Sequence, residues 1–282
     1  LRGVDLSGEL DGAVFAGIRS ALLKWGVIFF REQHLEAAAQ SAFAGRFGPL
    51  TGGHPTIPAP DGLPVVYDLD SLAGNRADEW HTDVTFTDRP PAISVLRAVQ
   101  LPECGGDTLW ASTALAFERL PAPLRQLAES LRVVHLNAYD YGRAEQAEAD
   151  EVLRREREQF TSVQFETEHP MVRVHPESGR KCLLLGSFAR HIVGLTSSDS
   201  ADLLRIFQGH VTRPEHTVRW RWRPGDVAVW DNRSTQHYAV NDYGERRRMQ
   251  RVTVAGERPV GPDGRESVRL RGDADSYADF TP

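Results

Sequence analysis

The sequence predicts a mostly β protein, a double-sheet barrel or sandwich with flanking helices, from three observations. Short strand-like runs with turns between them dominate from Pro64 onward. The first helical patterns sit together at the front instead of alternating with strands, which argues against a doubly wound parallel sheet. In residues 217–223, Val218, Trp220 and Trp222 alternate with Arg219, Arg221 and Arg223, the pattern of a strand with one packed and one wet face.

Residues 11–24 place Val14, Ile18, Ala21 and Leu22 on one helical face, and Gly26 ends that helix. Residues 25–30 read as a buried strand, 35–47 as a second amphipathic helix, and the Pro/Gly-rich stretch 51–64 as loop. Strands are then expected at 65–69, 92–99, 108–111, 131–136, 171–174 and 182–185. Three more follow at 217–222, 226–230 and 249–254, and helical inserts fall at 147–159 and 198–210. With no repeat, low-complexity tract or Gly/Ser linker, residues 1–282 are expected to form a single domain, the early helices bracing the β core. Residues 51–62 and 142–164, long and polar, are lid candidates.

Composition excludes several function classes. The chain is 40% hydrophobic and 26% charged, ordinary for a globular protein. No run approaches the roughly 18 apolar residues that span a bilayer, so no membrane partner is expected. A net charge of −6 repels nucleic acid, and Arg246-Arg247-Arg248 is too short for a nucleic-acid patch. Cys104 and Cys182 form no CxxC pattern, which argues against a disulfide framework or zinc ribbon and fits a reducing compartment, the cytoplasm. The sequence begins at Leu1 instead of Met, so an N-terminal piece is expected to be missing.

In the segment Trp80-His81-Thr82-Asp83-Val84, residues i and i+2 of an extended chain project from one face, so His81 and Asp83 point together. An imidazole beside a carboxylate is two-thirds of a facial triad of the kind that iron(II) oxygenases use. Alone the pattern is weak, since most such pairs are polar loop or strand residues. Among the ten histidines, His237 stands out as third ligand, because it follows the apolar strand ending at Trp230 and a polar turn. His169 and His175, which flank prolines, read as structural, and His191, His210 and His216 as surface residues.

Downstream, Arg247, Met249, Arg251 and Thr253 share one face of a predicted strand, while Arg248, Gln250, Val252 and Val254 share the other. Two guanidinium groups four residues apart lie about 13 Å apart at their backbones, a spacing for two different anions. Each can bind a carboxylate or sulfate bidentately. The plainer alternative is a solvated arginine-rich strand.

Trp80-His-Thr-Asp-Val-Thr-Phe86, Gly105-Gly-Asp-Thr-Leu-Trp110, Trp230-Asp-Asn-Arg-Ser-Thr-Gln-His-Tyr238 and the arginine pair together resemble the TauD/TfdA dioxygenase family, in that family's order, over residues 4 to 260 or so. The resemblance implies a double-stranded β-helix (jelly roll) and a dependence on Fe(II), 2-oxoglutarate and O2. It makes His81, Asp83 and His237 the catalytic metal ligands, and Thr108 and Arg247 the holders of the distal 2-oxoglutarate carboxylate. His54 and Arg251 would form a cationic clamp on the substrate anion, with Ile57, Ala77 and Val84 completing the substrate site. Ile57 and Ala77 stand where taurine's amine would need polar partners, which disfavours taurine. Residues 167–176, 208–213 and 232–244 more closely resemble the alkylsulfatase dioxygenases.

That subgroup hydroxylates the carbon next to a sulfate ester, releasing aldehyde and sulfate with succinate and CO2. The alternatives are the same chemistry on a sulfonate, an aryloxyacetate or a natural-product intermediate. Remoter ones are a zinc hydrolase, which would not explain Thr108 and Arg247, and a non-catalytic anion-binding jelly roll. The expected partner is a small anionic organic substrate, and a homo-oligomer, dimer or tetramer, is expected. Trp80 and Trp230 are expected to wall the iron from water.

Overall fold

Helix α1, Gly12–Trp25, is capped by the Asp11 carboxylate, which accepts from the Ala13 amide at 2.7 Å, and is ended by Gly26 at φ 74°. It leads into β1, Val27–Phe30, and then α2, Ala37–Gly45. The computed structural model describes residues 1–74, 77–138 and 151–281. The remaining strands to the middle of the chain are β2 (Val66–Asp70), β3 (Ile93–Gln100), β4 (Thr108–Ser112), β5 (Arg132–Leu136), β6 (Glu166–Pro170) and β7 (Val172–Val174). They are followed by β8 (Lys181–Leu183), β9 (Ala189–Ile192), β10 (Thr217–Trp220), β11 (Val227–Asp231), β12 (Thr235–Ala239), β13 (Arg248–Val254) and β14 (Val268–Arg271). Between them run α3 (Thr113–Glu118), α4 (Ala122–Ser130), α5 (Glu151–Phe160), α6 (Ser197–Val211) and, near the end, α7 (Asp275–Ala278).

A five-stranded sheet in the order β1-β11-β3-β13-β2 faces a three-stranded sheet in the order β10-β4-β12. A four-stranded sheet, β14-β6-β5-β9, and the hairpin β7-β8 complete the β structure among the described residues, and every named pairing is antiparallel. This is a jelly-roll core with flanking helices, as the sequence predicts.

Strand parity builds its two apolar layers. Ile28, Phe30, Ile93, Val95, Val227, Val229, Val252 and Val254 point from the larger sheet onto α1 and α2. Their neighbours Leu96, Ala228, Trp230 and Met249 point the other way, onto Trp110 of the smaller sheet. The buried Gln40 of α2 donates to the carbonyls of Val95 and Gln250 at 2.9 and 2.8 Å, tying that helix to the two central strands.

Several expectations need correction. Strands β6, β9, β12 and β14 and helices α3 and α4 are absent from the sequence reading. Strand β10 lies at a sheet edge, with Val218 exposed, Trp220 half-buried and only Trp222, past its end, buried. His216 is buried instead of lying at the surface, its Nδ1 donating to the His210 carbonyl at 2.8 Å. Of the predicted helix 147–159, the portion from Glu151 is helical, and residues 147–150 lie outside the described residues. The lid candidate 142–164 likewise falls partly outside them. No helix among the described residues is long and apolar enough to cross a membrane.

Candidate active site

His237 sits in β12, which pairs on one side with β4 and on the other with His81 through a single antiparallel bridge. The two backbones exchange both hydrogen bonds, at 3.0 and 2.8 Å. The chain is extended only as far as Thr82, whose hydroxyl donates to the Thr235 carbonyl at 2.8 Å. It then turns at Asp83 and Val84, and Val84 adopts φ 54°. A buried β-branched residue with positive φ is a strained position. The turn is closed by the Thr87 amide and hydroxyl, which donate to the Val84 carbonyl at 3.1 and 3.0 Å. Gly186, at φ 122°, passes behind His81, where a Cβ would lie 3.0 Å from the His81 Cα.

His81, Asp83 and His237 are all buried, and one ligand atom from each lies within 4.8 Å of the others. Asp83 Oδ1 is 3.9 Å from His81 Nε2 and 3.7 Å from His237 Nε2. His81 Nδ1 donates to the Glu79 carbonyl at 2.7 Å, which leaves its Nε2 as the lone-pair nitrogen facing the cluster. Burial lowers the pKa of both imidazoles, and His81 adds to the effect on His237. Burial alone would raise Asp83, but Arg251 and the two imidazoles outweigh it and hold the carboxyl at about 2. Two neutral imidazoles and one carboxylate fit iron(II) in a facial arrangement.

A cavity of ≈ 100 Å³ opens beside this cluster, and Ala77, Val84, His54 and Arg251 line it. Arg251 bonds Asp83 Oδ1 and lies 5.1 Å above the ring of Tyr67, its cross-strand partner. His54 is not a cation. Its Nδ1 accepts from the Thr56 and Ile57 amides at 3.2 and 3.1 Å, and burial with help from Arg251 pulls its pKa down to about 3. The expected cationic clamp is therefore one guanidinium beside a neutral imidazole. Ile57 packs behind the wall, with Phe86 and Phe160, and is not among the lining residues.

Sequence reasoning missed Tyr67, Phe86, Phe160 and Phe188, which form most of the cavity's aromatic surface. Phe86 and Phe188 meet edge to face at 5.0 Å. Tyr67 was legible, since the alternation of β2 buries Val66 toward the helices and turns Tyr67 inward.

Arg247 and Thr108 lie outside that cavity, yet the structure brings them together. Arg247 Nη2 donates to Thr108 Oγ1 at 3.3 Å and its Nε to the Gly106 carbonyl at 2.9 Å. Gly106, at φ 70°, makes room for it, since a Cβ there would lie 2.9 Å from Arg247 Cδ. Burial lowers the Arg247 pKa, and among the described residues no carboxylate comes within the 4.0 Å of an ion pair. Trp230 packs 4.8 Å from the His237 ring, whereas Trp80 packs on Tyr238 and does not line the cavity. His169 and His175 are structural, bonding Ser267 and Thr85 in one case and Asp231 in the other.

The chain is 53% identical, over 94% of its length and 84% of the relative's, to a protein of Acinetobacter baylyi named alkylsulfatase. It is 52% identical, over 96% of its length and 90% of the relative's, to an alpha-ketoglutarate-dependent sulfate ester dioxygenase of Pseudomonas putida. The crystal structure of a taurine dioxygenase from Burkholderia xenovorans superposes with a TM-score of 0.82 at 43% identity, covering 98% of this chain and 92% of that one. The model of the taurine catabolism dioxygenase TauD, TfdA family matches residues 2–253, and this protein belongs to that family.

Proposed function

We propose that this protein is an Fe(II)- and 2-oxoglutarate-dependent dioxygenase that hydroxylates the carbon bearing a sulfate ester. The observation that carries the reading is the buried His81–Asp83–His237 cluster opening onto a cavity with the Arg251 guanidinium beside the cluster and three phenylalanines on its walls, Glu156 and Arg190 also lining it. Two relatives above half identity, named alkylsulfatase and sulfate ester dioxygenase, support it.

His81, Asp83 and His237 hold the metal. When bound, iron with 2-oxoglutarate and O2 supplies the oxidation, turning the cosubstrate into succinate and CO2 as one oxygen atom enters the substrate C–H bond. Arg247, buried without a carboxylate partner among the described residues, takes the far carboxylate of 2-oxoglutarate, with Thr108 donating its hydroxyl. Arg251 carries the charge of the sulfate, and His54, its Nδ1 already engaged, offers the Nε2 hydrogen. Ala77, Val84, Phe86, Phe160 and Phe188 accept the alkyl chain, each buried methylene contributing about 0.8 kcal/mol. The hydroxylated carbon then loses sulfate as its C–O bond breaks and a carbonyl forms, giving aldehyde, sulfate and a proton.

We also place the protein in the cytoplasm as a single domain and as a homo-oligomer, a dimer or tetramer. Trp25, 66% exposed at the end of α1, and Val218 on the edge strand β10 form an apolar surface that a second copy can cover. Light scattering tests the assembly. The function is tested by a substrate screen read out as succinate and free sulfate. Linear alkyl sulfates should turn over and improve with chain length over the first several carbons, and taurine should be poor. If taurine outperforms every alkyl sulfate, the substrate assignment fails while the dioxygenase assignment survives.

A further inference from the structure

Asp83 presents two chemically equivalent oxygens to a site that needs one. Oδ1 is the atom that faces both imidazoles. Oδ2 points away, toward Ser94 Oγ at 2.7 Å. Ser94 lies on β3, the central strand of the larger sheet, opposite Trp230 on one side and Thr253 on the other. Its parity turns it inward, while Ile93 and Val95 point out to the helices.

A second contact fixes the direction of that bond. Asn232 Nδ2 lies 2.7 Å from Ser94 Oγ, and Trp230 Nε1 lies 2.9 Å from Asn232 Oδ1. An indole N–H can only donate, so it sets the amide with its oxygen toward Trp230 and its nitrogen toward Ser94. The amide nitrogen can only donate in turn, so Ser94 accepts from Asn232 and must send its own hydrogen to the Asp83 carboxylate. Trp230, Asn232, Ser94 and Asp83 are at most 3% exposed, so water does not compete for these bonds. The backbone holds the start of the chain as well, because the Asn232 amide donates to the Ala92 carbonyl at 2.9 Å.

We propose that Ser94 and Asn232 are positioning residues that make Asp83 a one-oxygen ligand. The relay from Trp230 ties Oδ2 down on the side away from the imidazoles and leaves Oδ1, which also accepts from Arg251, as the oxygen turned to the metal. A carboxylate free to offer both oxygens would fill a second coordination position and close part of the face that cosubstrate and O2 require. The proposal rests on the metal centre described above and adds to it which carboxylate oxygen is used and what enforces the choice.

The test uses the whole chain loaded with Mn(II) or Co(II), without turnover. Ser94→Ala should bind Mn(II) roughly 10- to 100-fold more weakly, the usual effect of losing a partner of a metal ligand. It should also change the visible absorption of the Co(II) form, which reports coordination number. Ser94→Thr, keeping the hydroxyl, should restore the parent spectrum. Asn232→Ala, which removes the amide that orients Ser94, should shift the Co(II) spectrum in the same direction and covers the case in which Ser94→Ala does not fold. A folded Ser94→Ala or Asn232→Ala protein with the parent Co(II) spectrum overturns the proposal, even if its Tm falls, since that is what a merely structural role predicts. His81→Ala separates the two readings. If it binds Mn(II) like the parent, the metal centre itself is wrong, and if only the Ser94 and Asn232 variants match the parent, the relay alone is wrong.

Discussion

Arg247→Ala should weaken 2-oxoglutarate binding far more than any change at the adjacent Arg248. Arg247 is 7% exposed, and among the described residues its guanidinium bonds the Gly106 carbonyl and the Thr108 hydroxyl. Burial disfavours its charge, so an incoming carboxylate relieves a cost that the folded protein already carries. Truncation leaves that carboxylate with the Thr108 hydroxyl and no counter-charge in a poorly hydrated place. Losing one side of such a pair costs about 2–5 kcal/mol, or roughly 30- to 3000-fold in affinity. Arg248, on the other strand face, bonds both oxygens of Asp68 at 3.0 Å and is partly exposed. Its contribution is about 0–1 kcal/mol of stability and nothing to the cosubstrate. Anaerobic calorimetric titration of the Mn(II)-loaded protein with 2-oxoglutarate reads both variants directly. Arg247→Lys keeps the charge but not the two-pronged geometry and should fall between parent and alanine. Equal losses at Arg247 and Arg248 would refute the assignment of strand faces.

Alanine at His81, Asp83 or His237 should abolish substrate-dependent succinate formation, whereas His169→Ala, which breaks bonds to Ser267 and Thr85, should cost stability and spare metal binding. The metal assignment falls if His237→Ala keeps turnover and His169→Ala loses the metal. Stability should fall with acid partly through His54: between its unfolded value of 6.5 and its folded value of about 3, only the unfolded chain takes up the proton. That contribution is intact above 6.5 and lost as pH drops, amounting to about 2 kcal/mol by pH 5. His54→Gln should flatten the fall in urea-derived stability between pH 7 and 5 relative to the parent, and an unchanged fall contradicts a neutral ring at this half-buried position. Arg251→Gln should raise KM for alkyl sulfates steeply and leave the 2-oxoglutarate Kd near the parent's, so a matching loss of both would mean that the two anions do not use separate arginines.

What the sequence made legible follows from where chemistry coincides with periodicity. The alternation from Arg247 to Val254 survives in the folded chain, with Met249 turned toward Trp110 and Val252 and Val254 toward α2, because the two faces differ in polarity. Strand β12 has no such contrast. Gln236 faces Gln208 at 2.7 Å, His237 faces the metal cluster, and both are buried, so polar residues occupy both faces and no hydrophobic period exists. The strand that carries His237, the proposed third ligand, thus reads as a polar turn. Strand β6 is obscured in the same way, since Thr167 and His169 are buried and satisfied by the Phe86 and Thr85 carbonyls. The charge of His54 was out of reach for a different reason: burial beside Arg251 makes the ring neutral, and two backbone amides of its own loop take its Nδ1, facts of conformation and not of residue type. This neutrality changes how the site must work. On the proposed reading the anion's charge falls to Arg251, the guanidinium nearest the metal cluster, and Arg251 also bonds the Asp83 oxygen that faces the imidazoles. A sulfate drawing that guanidinium toward itself weakens its hold on Asp83 and leaves the carboxylate's charge to the metal. Substrate and metal should therefore bind with positive coupling through one side chain, which a clamp of two independent cations would not produce.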